Sequence, residues 1–390
     1  MSHAAHRAGP LAGLRILEFA GLGPAPFCSM MLADHGAQVI RIDRPAASTV
    51  NSAVMPDVRC DFINRSRRSI GIDLKHPDGI ALIRKLARAA DGLIEGFRPG
   101  VMERLGLGPD ILLEDNPRLV YARMTGWGQT GPNSTLAGHD INYIALSGAL
   151  HSMGRAGEKP VPPLNMVGDY GGGGMMAAFG MLAAILHTRC TGEGQVVDCA
   201  MTEGSAVLMT AIYSSLAAGL WSDERGVNLV DSGAPFYDSY ETGDGRFVAI
   251  GPIEPQFFRR LLQLIGVHQD PDFTHQFDRS AWPAQKAKLT AIFKSRSRAE
   301  WDALLAGADA CYAPILTLTE APEHPHNIAR GAFVEVAGAK QPAPAPRYSK
   351  TPAAPPEPLS TGPEVTESIL ANAGIDSTEI QRLMMNGVVV

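Results

Sequence analysis

Short apolar runs alternate with stretches of helical spacing along the first half of the chain. Residues 14–20 and 38–42 are apolar enough for buried strands, and apolar residues recur at helical spacing over residues 26–35 between them. The alternation continues with further predicted elements: a strand at 69–74, an amphipathic helix at 77–90, and strands at 92–95 and 119–124. Because strand, helix, strand crossovers join parallel neighbours, this half is predicted to be α/β with a mostly parallel sheet.

The pattern changes in the second half. Two strand-like runs flank a Gly243-Asp244-Gly245 turn within residues 237–250, which predicts an antiparallel hairpin. Helices are predicted at 256–265 and 282–293. Residues 341–364 contain eight prolines, and a segment of this composition is typically an extended arm lying on a surface.

These elements predict two domains. The predicted division is a large Rossmann-like α/β domain over residues 1–198, a linker helix over 199–230, a small α+β domain over 231–318, and a return segment with the proline-rich arm over 319–390. We expect the arm to pack on the large domain.

Two long apolar stretches require comparison with a membrane span. Residues 175–186 form a run of only a dozen residues, whereas a spanning helix needs about 20. Residues 204–221 are uncharged and borderline in length, but they contain serine, threonine, glycine and tyrosine and are bounded by Glu203 and Asp223. A buried helix is therefore predicted there, and no membrane partner is expected.

Composition narrows the class of protein. The chain has 390 residues, of which 45% are hydrophobic and 19% charged, enough for two folded domains with substantial cores. The net charge of −6 argues against binding to nucleic acid or to an anionic membrane. The five cysteines are odd in number and form no CxxC pair, so neither a zinc site nor a disulfide framework is indicated. With no signal-peptide pattern at the start, the chain is predicted to be cytoplasmic.

One turn superficially matches a dinucleotide-binding fingerprint. Gly21 and Gly23 follow the first predicted strand, and Asp43 lies about twenty residues further on. Pro26 stands where the third glycine of the fingerprint is needed for close packing of helix on sheet. NAD binding is therefore disfavoured.

A histidine and an aspartate suggest proton-transfer chemistry. They lie in two polar strings: Gly138-His139-Asp140-Ile141-Asn142-Tyr143 and Leu164-Asn165-Met166-Val167-Gly168-Asp169-Tyr170. His139 and Asp169 are 30 residues apart, about one strand, helix, strand crossover, so neighbouring parallel strands could bring them to one crevice. An imidazole titrates near neutrality and a desolvated carboxylate approaches that range, so the pair suits a two-base site. Singly, such a histidine is more often structural and such an aspartate more often a cap or turn residue.

Basic residues precede the histidine string. They lie near predicted strand ends and in a polar loop: Arg41, Arg44, Arg65, Arg67, Arg68, Lys75 and Arg98. Arginine and lysine at strand ends can bind phosphate oxygens, and the phosphoadenosine part of coenzyme A needs several such contacts. A solvated basic face explains the same pattern equally well.

Taken together, longer strings in this chain resemble the family III CoA-transferase superfamily, and within it the members that racemise 2-methylacyl-CoA thioesters. The strings span nearly the whole chain: Arg41-Ile42-Asp43-Arg44-Pro45, Gly96-Phe97-Arg98-Pro99-Gly100-Val101, Tyr121 to Gln129, Gly138 to Tyr143, Gly192 to Asp198, Gly233-Ala234-Pro235-Phe236-Tyr237 and Ile253-Glu254-Pro255-Gln256-Phe257. Such a set of strings is far more specific than any single motif.

The resemblance implies a 1,1-proton transfer at the α-carbon of the acyl group through an enolate. His139 would exchange the proton on one face and Asp169 on the other, while Glu254 and Asn165 would orient the histidine and the aspartate respectively. An enolate oxygen needs a preorganised donor, and the backbone N–H of Asp140 suits that role.

The resemblance also implies how substrate and subunits are held. The expected contacts to the coenzyme A moiety are Arg41, Arg44, Ile72, Asp73, Leu74, Lys75, Arg98, Gly138 and Tyr143. Members of the family are interlocked homodimers, so Glu254 of the small domain would come from the partner subunit. No metal or redox cofactor is implied, because coenzyme A is part of the substrate.

A true CoA-transferase of the same superfamily is the nearest rival. In that reaction the carboxylate of Asp169 would attack the thioester and form a mixed anhydride. The presence of His139 and Glu254 argues against this reading, since a transferase has no need of a histidine opposite the aspartate. A noncatalytic acyl-CoA-binding protein is disfavoured because both proton-transfer groups are present.

Overall fold

The computed structural model describes residues 7–45 and 57–390, which form two compact units. The first unit comprises the described residues up to Ser147 together with Leu164–Leu208 and Pro325–Val390, and the second comprises Gly148–Pro163 and Met209–His324. These bounds differ from the predicted domains, because residues 148–163 belong to the second unit and the predicted linker is divided after Leu208.

A six-stranded parallel sheet organises the first unit. Its strands are β1 (Arg15–Phe19), β2 (Gln38–Asp43), β3 (Arg68–Gly71), β4 (Gly92–Glu95), β5 (Val120–Thr125) and β6 (Gln195–Ala200), in the order β3-β2-β1-β4-β5-β6. The predicted Rossmann-like parallel sheet is therefore confirmed. Because the strand order reverses between β1 and β4, a crevice opens beyond the carboxyl ends of these strands.

Helices cover both faces of this sheet and build most of the second unit. They are α1 (Pro24–Asp34), α2 (Pro77–Arg88), α3 (Val101–Arg104), α4 (Pro109–Asp115), α5 (Asp140–Leu146), α6 (Met176–Thr191), α7 (Met201–Leu208), α8 (Thr210–Ala217), α9 (Pro255–Leu264), α10 (Trp282–Lys294), α11 (Arg298–Leu305), α12 (Pro325–Arg330), α13 (Pro363–Asn372) and α14 (Ser377–Met385). Neighbouring strand residues point to opposite faces, so Ile16 and Leu17 enter two separate buried clusters.

The glycine block is helical. Residues Met166–Met175 form a π-helix that continues directly into α6. Its glycines allow neighbouring backbone to approach closely, since a Cβ on Gly204 of α7 would lie 1.9 Å from the carbonyl oxygen of Gly172. Gly174 in turn packs against Phe27 of α1. The glycines thus permit three helices to converge on this segment.

The π-helix lengthens the apolar stretch beyond its predicted extent. Together with α6 it forms a 26-residue run, Met166–Thr191, that is long and apolar enough to cross a membrane by length and composition. The prediction of a short run was wrong because the glycine block does not interrupt the helix. Half of the most apolar window is buried inside the protein, and core helices of soluble proteins pass the same test, so the run is weak support for a membrane span.

The predicted buried helix at 204–221 is also corrected. The stretch forms two helices, α7 and α8, and α8 contains no buried residue. Tyr213 and Leu220 are 50% and 69% exposed respectively. Apolar composition alone does not distinguish a helix buried in its own chain from one that presents an apolar face outward.

A three-stranded antiparallel sheet and four helices form the second unit. The sheet has the order β7 (Asp238–Glu241), β8 (Phe247–Ile250) and β9 (Tyr312–Pro314), and its first two strands are the predicted hairpin. Aromatic side chains dominate the core, including Phe236, Phe293 and Trp301. Helices α9 and α10 match the two predicted helices to within about one residue.

The chain returns to the first unit at its C-terminal end. A short hairpin of β10 (Phe333–Val336) and β11 (Ala339–Pro342) precedes the proline-rich arm. The arm joins the sheet edge, since the Ser66 N–H donates to the Glu357 carbonyl at 2.7 Å. Val390 exchanges two backbone hydrogen bonds with Gly71 at the end of β3.

We predict that Gly204→Ala destabilises the protein. The new methyl group would meet the Gly172 carbonyl oxygen, and because a Cβ cannot rotate away and the oxygen belongs to the backbone, only a shift of the helices can relieve the overlap. Overpacking of this kind lowers the free energy of unfolding by about 1–3 kcal/mol. Chemical denaturation measures the loss. Gly251→Ala is the control, because its Cβ would meet its nearest neighbours at 3.8 Å, and equal stability of the two variants would contradict the packing argument.

Candidate active site

His139 occupies the residue before α5, beyond the carboxyl end of β5. Its backbone is extended, with φ −133° and ψ 172°, and its side chain is exposed. The backbone N–H of His139 donates to Oδ1 of Asn142 at 3.0 Å, which fixes the start of the helix. An imidazole held at a helix start and open to solvent is accessible to a ligand.

Asp169 lies in the π-helix, where two neighbours hold it. Its Oδ2 accepts a hydrogen bond from Nδ2 of Asn165 at 3.0 Å, and its backbone N–H donates to Oδ2 of Asp140 at 2.7 Å. Asp140 is buried, and no described residue donates to its Oδ1. The Asp140 side chain therefore ties the start of α5 to the π-helix, a contact that the sequence did not indicate.

The electrostatic surroundings raise the pKa of Asp169. Burial is the main cause, because it disfavours the charged form, and the nearby Asp140 carboxylate adds to the increase. The Asn165 hydrogen bond and the field of His139 act in the opposite direction. His139 and Asp169 thus lie close enough to interact, and the carboxyl group is shifted toward the range in which proton transfer is effective.

The ring of Tyr143 lies near Gly138 and Asp169. A Cβ on Gly138 would lie 2.7 Å from Cε1 of Tyr143, so only glycine leaves room for the ring at that position. Burial and the Asp169 carboxylate raise the pKa of Tyr143, whereas Arg98 lowers it. The structure therefore places Gly138, Tyr143, Asp169 and Arg98 in one neighbourhood.

Gly23 was not predicted to belong to the site. It precedes α1 with φ +69°, and a Cβ there would lie 3.0 Å from Oδ2 of Asp169. The turn that resembled a dinucleotide fingerprint thus faces the aspartate. The signal available in the sequence was a glycine directly before Pro24, a pattern typical of a helix start that needs an unusual backbone conformation.

The expected contacts to coenzyme A divide by exposure. Arg44, Lys75 and Arg98 are exposed, whereas Asp73 and Leu74 are partly buried. The Asp73 side chain accepts a hydrogen bond from the Lys75 backbone N–H at 2.9 Å.

Arg41 and Ile72 require correction. Arg41 is 3% exposed, and its guanidinium donates to Asp43, Glu18 and Asn64. Ile72 is 0% exposed and belongs to the core, so its side chain cannot contact a ligand. An arginine in a sequence that looks solvent-exposed can thus belong to a buried ion pair and be unavailable to bind a phosphate group.

Two further arginines of the predicted basic face are buried in the same manner. Arg65 pairs with Asp34 and also donates to Gln341 at 2.8 Å. Arg67 pairs with Glu18. These side chains stabilise the fold around β1 to β3 and leave a smaller set of exposed cations.

Glu254 belongs to the second unit, whereas His139, Asp140, Asn165 and Asp169 belong to the first. It directly precedes α9, and its side chain is exposed. Among residues 7–45 and 57–390, no three histidine, cysteine or acidic side chains are grouped to hold a metal ion.

We predict that Asn165→Ala raises the pKa of Asp169 further. The Asn165 amide N–H stabilises the ionised carboxylate, so its removal favours the protonated form. An NMR titration of protein with ¹³C-labelled aspartate measures this shift. Asn372→Ala, at the exposed end of α13, is the control. An unchanged or lower pKa in Asn165→Ala would show that the hydrogen bond does not control the ionisation.

Known proteins resemble this chain over nearly its whole length. The sequence pattern of CoA-transferase family III matches residues 11–365. "Alpha-methylacyl-CoA racemase" of Mus musculus is 44% identical over 382 residues, which cover 97% of this chain and 97% of that protein. The Homo sapiens protein of the same name is 44% identical over 377 residues, with 96% of each chain covered.

A solved structure supports the same relationship. A CAIB/BAIF family protein from Brucella suis matches with a TM-score of 0.79 and 26% sequence identity, covering 94% of this chain and 100% of that chain. The chain therefore belongs to CoA-transferase family III.

Proposed function

We propose that this protein racemises 2-methylacyl-CoA thioesters by 1,1-proton transfer at the α-carbon. The observation that carries the proposal is that His139 and Asp169 lie in one neighbourhood, because Asp140, the residue after His139, accepts a hydrogen bond from the Asp169 backbone N–H at 2.7 Å. The 44% identity to mouse and human proteins called alpha-methylacyl-CoA racemase supports it.

The proposed reaction uses each base on one face of the α-carbon. One group removes the proton, which leaves an enolate, and the other returns a proton to the opposite face. A carboxylate with a raised pKa is a stronger base than an ordinary one, which suits it to abstraction at carbon. Asn165 holds the Asp169 carboxyl group, and Asp140 fixes the backbone that carries it.

The enolate oxygen also needs a donor. Asp140 is the first residue of α5, so its backbone N–H has no acceptor within the helix. We assign this N–H to the developing negative charge of the thioester oxygen. The reaction requires proton transfers alone, and we propose that it uses no metal or redox cofactor.

Exposed cations supply the proposed contacts to coenzyme A. Arg44, Lys75 and Arg98 are the exposed members of the predicted basic set. Arg68, by contrast, is half-buried and donates to the Val365 carbonyl at 3.3 Å. Guanidinium and ammonium groups bind phosphate oxygens through charge-assisted hydrogen bonds. Arg98 also influences Tyr143, so it stands near the proposed reaction centre.

We propose that the active protein is a homodimer in the cytoplasm. Glu254 would reach the His139 of the other subunit, as the family resemblance implies. Helix α6 supports an interface, since Phe179 and Leu186 are 74% and 65% exposed. All five cysteines are free, which is consistent with a reducing compartment.

We predict that His139→Ala and Asp169→Ala each abolish racemisation. Exchange at both faces requires two groups, so removal of either group breaks the full reaction. One epimer of a 2-methylacyl-CoA is incubated in deuterium oxide, with deuterium uptake followed by mass and epimer ratio by chiral separation. The wild-type protein should incorporate α-deuterium and approach equal amounts of the epimers. His268→Ala, at an exposed position after α9, should behave like the wild type.

Two results would contradict the assignment. Near wild-type racemisation in either variant would remove that residue from the proposed role. Transfer of CoA to an added carboxylic acid, with the α-hydrogen retained, would instead favour the transferase reaction, in which Asp169 acts as a nucleophile.

We further predict that Phe179→Asp converts the proposed dimer to monomer. A charge placed in an apolar interface must be desolvated without a partner, which weakens association by several kcal/mol. Light scattering coupled to size-exclusion chromatography measures the mass. Met385→Asp, at the 79% exposed end of α14, is the matched control. A monomeric wild-type protein, or a Phe179→Asp variant that stays dimeric, would exclude this interface.

A further inference from the structure

A buried ion pair lies at the carboxyl ends of β4 and β5. Glu95 is 1% exposed, and its Oε1 accepts a hydrogen bond from Nε of Arg123 at 3.2 Å. The same guanidinium reaches Glu103 of α3, with Nη1 and Oε1 2.8 Å apart. Arg123 therefore joins a carboxylate at the end of a strand to a carboxylate in the following short helix.

The loop carrying Arg98 lies between these two carboxylates. At its start, the Phe97 N–H donates to Oε2 of Glu95 at 2.7 Å. At its end, Gly100 takes a left-handed conformation with φ +81° and leads into α3, which contains Glu103. The start of the loop is thus hydrogen-bonded to Glu95. The helix that follows its end is linked to Glu95 through Glu103 and Arg123.

Packing holds the same loop from one side. The ring of Phe97 meets the ring of Phe19 edge to face, with centroids 5.9 Å apart. Arg98 is the next residue and is exposed, and its positive charge opposes the increase in the pKa of Tyr143. The loop therefore presents one solvated guanidinium from a backbone fixed at both sides.

We propose that Glu95, Arg123 and Glu103 form a positioning bracket that holds Arg98 ready for a phosphate group of coenzyme A. The inference rests on the proposed function, because Arg98 needs the CoA moiety as its ligand. An arginine on a mobile loop loses rotational freedom when it binds, whereas a fixed backbone has already met part of that cost. Glu95 itself does not contact the ligand and acts through Arg98.

Glu95 is kept in place by its partners. Burial raises the pKa of Glu95 to about 7, although the Phe97 N–H and Arg123 oppose that increase. A glutamine could keep only one contact in its present form. With its oxygen on the Phe97 N–H, its amide nitrogen would face the Arg123 N–H, and two donors cannot bond each other.

The test is a double-mutant cycle on the full-length protein. Dissociation constants for coenzyme A are measured by calorimetry at pH 8.5 for wild type, Glu95→Gln, Arg98→Ala and the double variant. We expect Arg98→Ala to weaken binding about 10- to 100-fold, the range for one lost charge-assisted hydrogen bond. Glu95→Gln should weaken it about three- to tenfold, and the double variant should match Arg98→Ala alone.

A matched control separates positioning from stability. Asp115 accepts hydrogen bonds from Arg84 and Arg88, so Asp115→Asn disturbs another arginine-paired carboxylate of the first unit. That variant should lose stability and keep wild-type affinity for coenzyme A. If Glu95→Gln does not fold, Glu103→Gln at the 43% exposed end of the bracket replaces it, with the same expected loss of affinity.

The outcomes distinguish this inference from the proposed function. Unchanged affinity in Arg98→Ala would overturn the proposed coenzyme A contact itself. If Arg98→Ala weakens binding but Glu95→Gln stays within about twofold of wild type, the bracket is overturned alone. Fully additive losses in the double variant would also overturn it, because they would show that Glu95 acts independently of Arg98.

Discussion

Close backbone packing around the π-helix is the constraint on which the candidate site depends. Gly172 and Gly204 bring the π-helix and α7 so near that no side chain fits between them. Asp169 is carried by the same helix, three residues before Gly172. The position of its backbone is therefore set by close backbone packing and by the hydrogen bond from its N–H to Asp140. Asn165 then orients the carboxyl group.

The candidate site combines partial burial with opposing charges. Full burial without partners would keep Asp169 protonated, and full exposure would leave it an ordinary weak base. Instead, burial and Asp140 raise the pKa of Asp169 while Asn165 and His139 lower it. The net effect is a pKa above the ordinary value for an aspartate, which makes the ionised carboxylate a stronger base than an exposed one.

The sequence predicted the parallel sheet well because buried strands are rich in apolar residues, such as Leu93 and Ile94 of β4. It did not predict the π-helix, since a run of glycines has little helical propensity and contacts with α1, α5 and α7 stabilise the segment. Nor could it separate Arg41 from Arg98. Both are arginines near strand ends, and only three-dimensional structure shows that Arg41 has buried carboxylates within reach.

For α8 the sequence failed for a different reason. The apolar composition of α8 predicts a buried helix, but no residue of α8 is buried within the single chain, and Tyr213 is 50% exposed. The hydrophobic pattern reports that a surface avoids water and does not report which molecule covers it. Spacing suggested that His139 and Asp169 share one site, but the expected delivery by neighbouring parallel strands was wrong. No strand lies among the residues between β5 and β6, all of which the structure describes, and the two residues belong to the start of α5 and to the π-helix. The supporting contacts of Gly23 and Asp140 arise from folding.

The same arrangement, a glutamate opposite an arginine on neighbouring parallel strands, occurs on both sides of the point where the strand order reverses. Glu18 of β1 stands opposite Arg41 of β2, and Glu95 of β4 stands opposite Arg123 of β5. Each pair is buried near the carboxyl end of its strand, where the loops toward the site begin. Buried ion pairs cost desolvation energy and add little net stability, but removing one partner is strongly unfavourable. A one-residue slip in either strand pair would leave both members of its ion pair buried without a partner, so the opposed charges disfavour any other register.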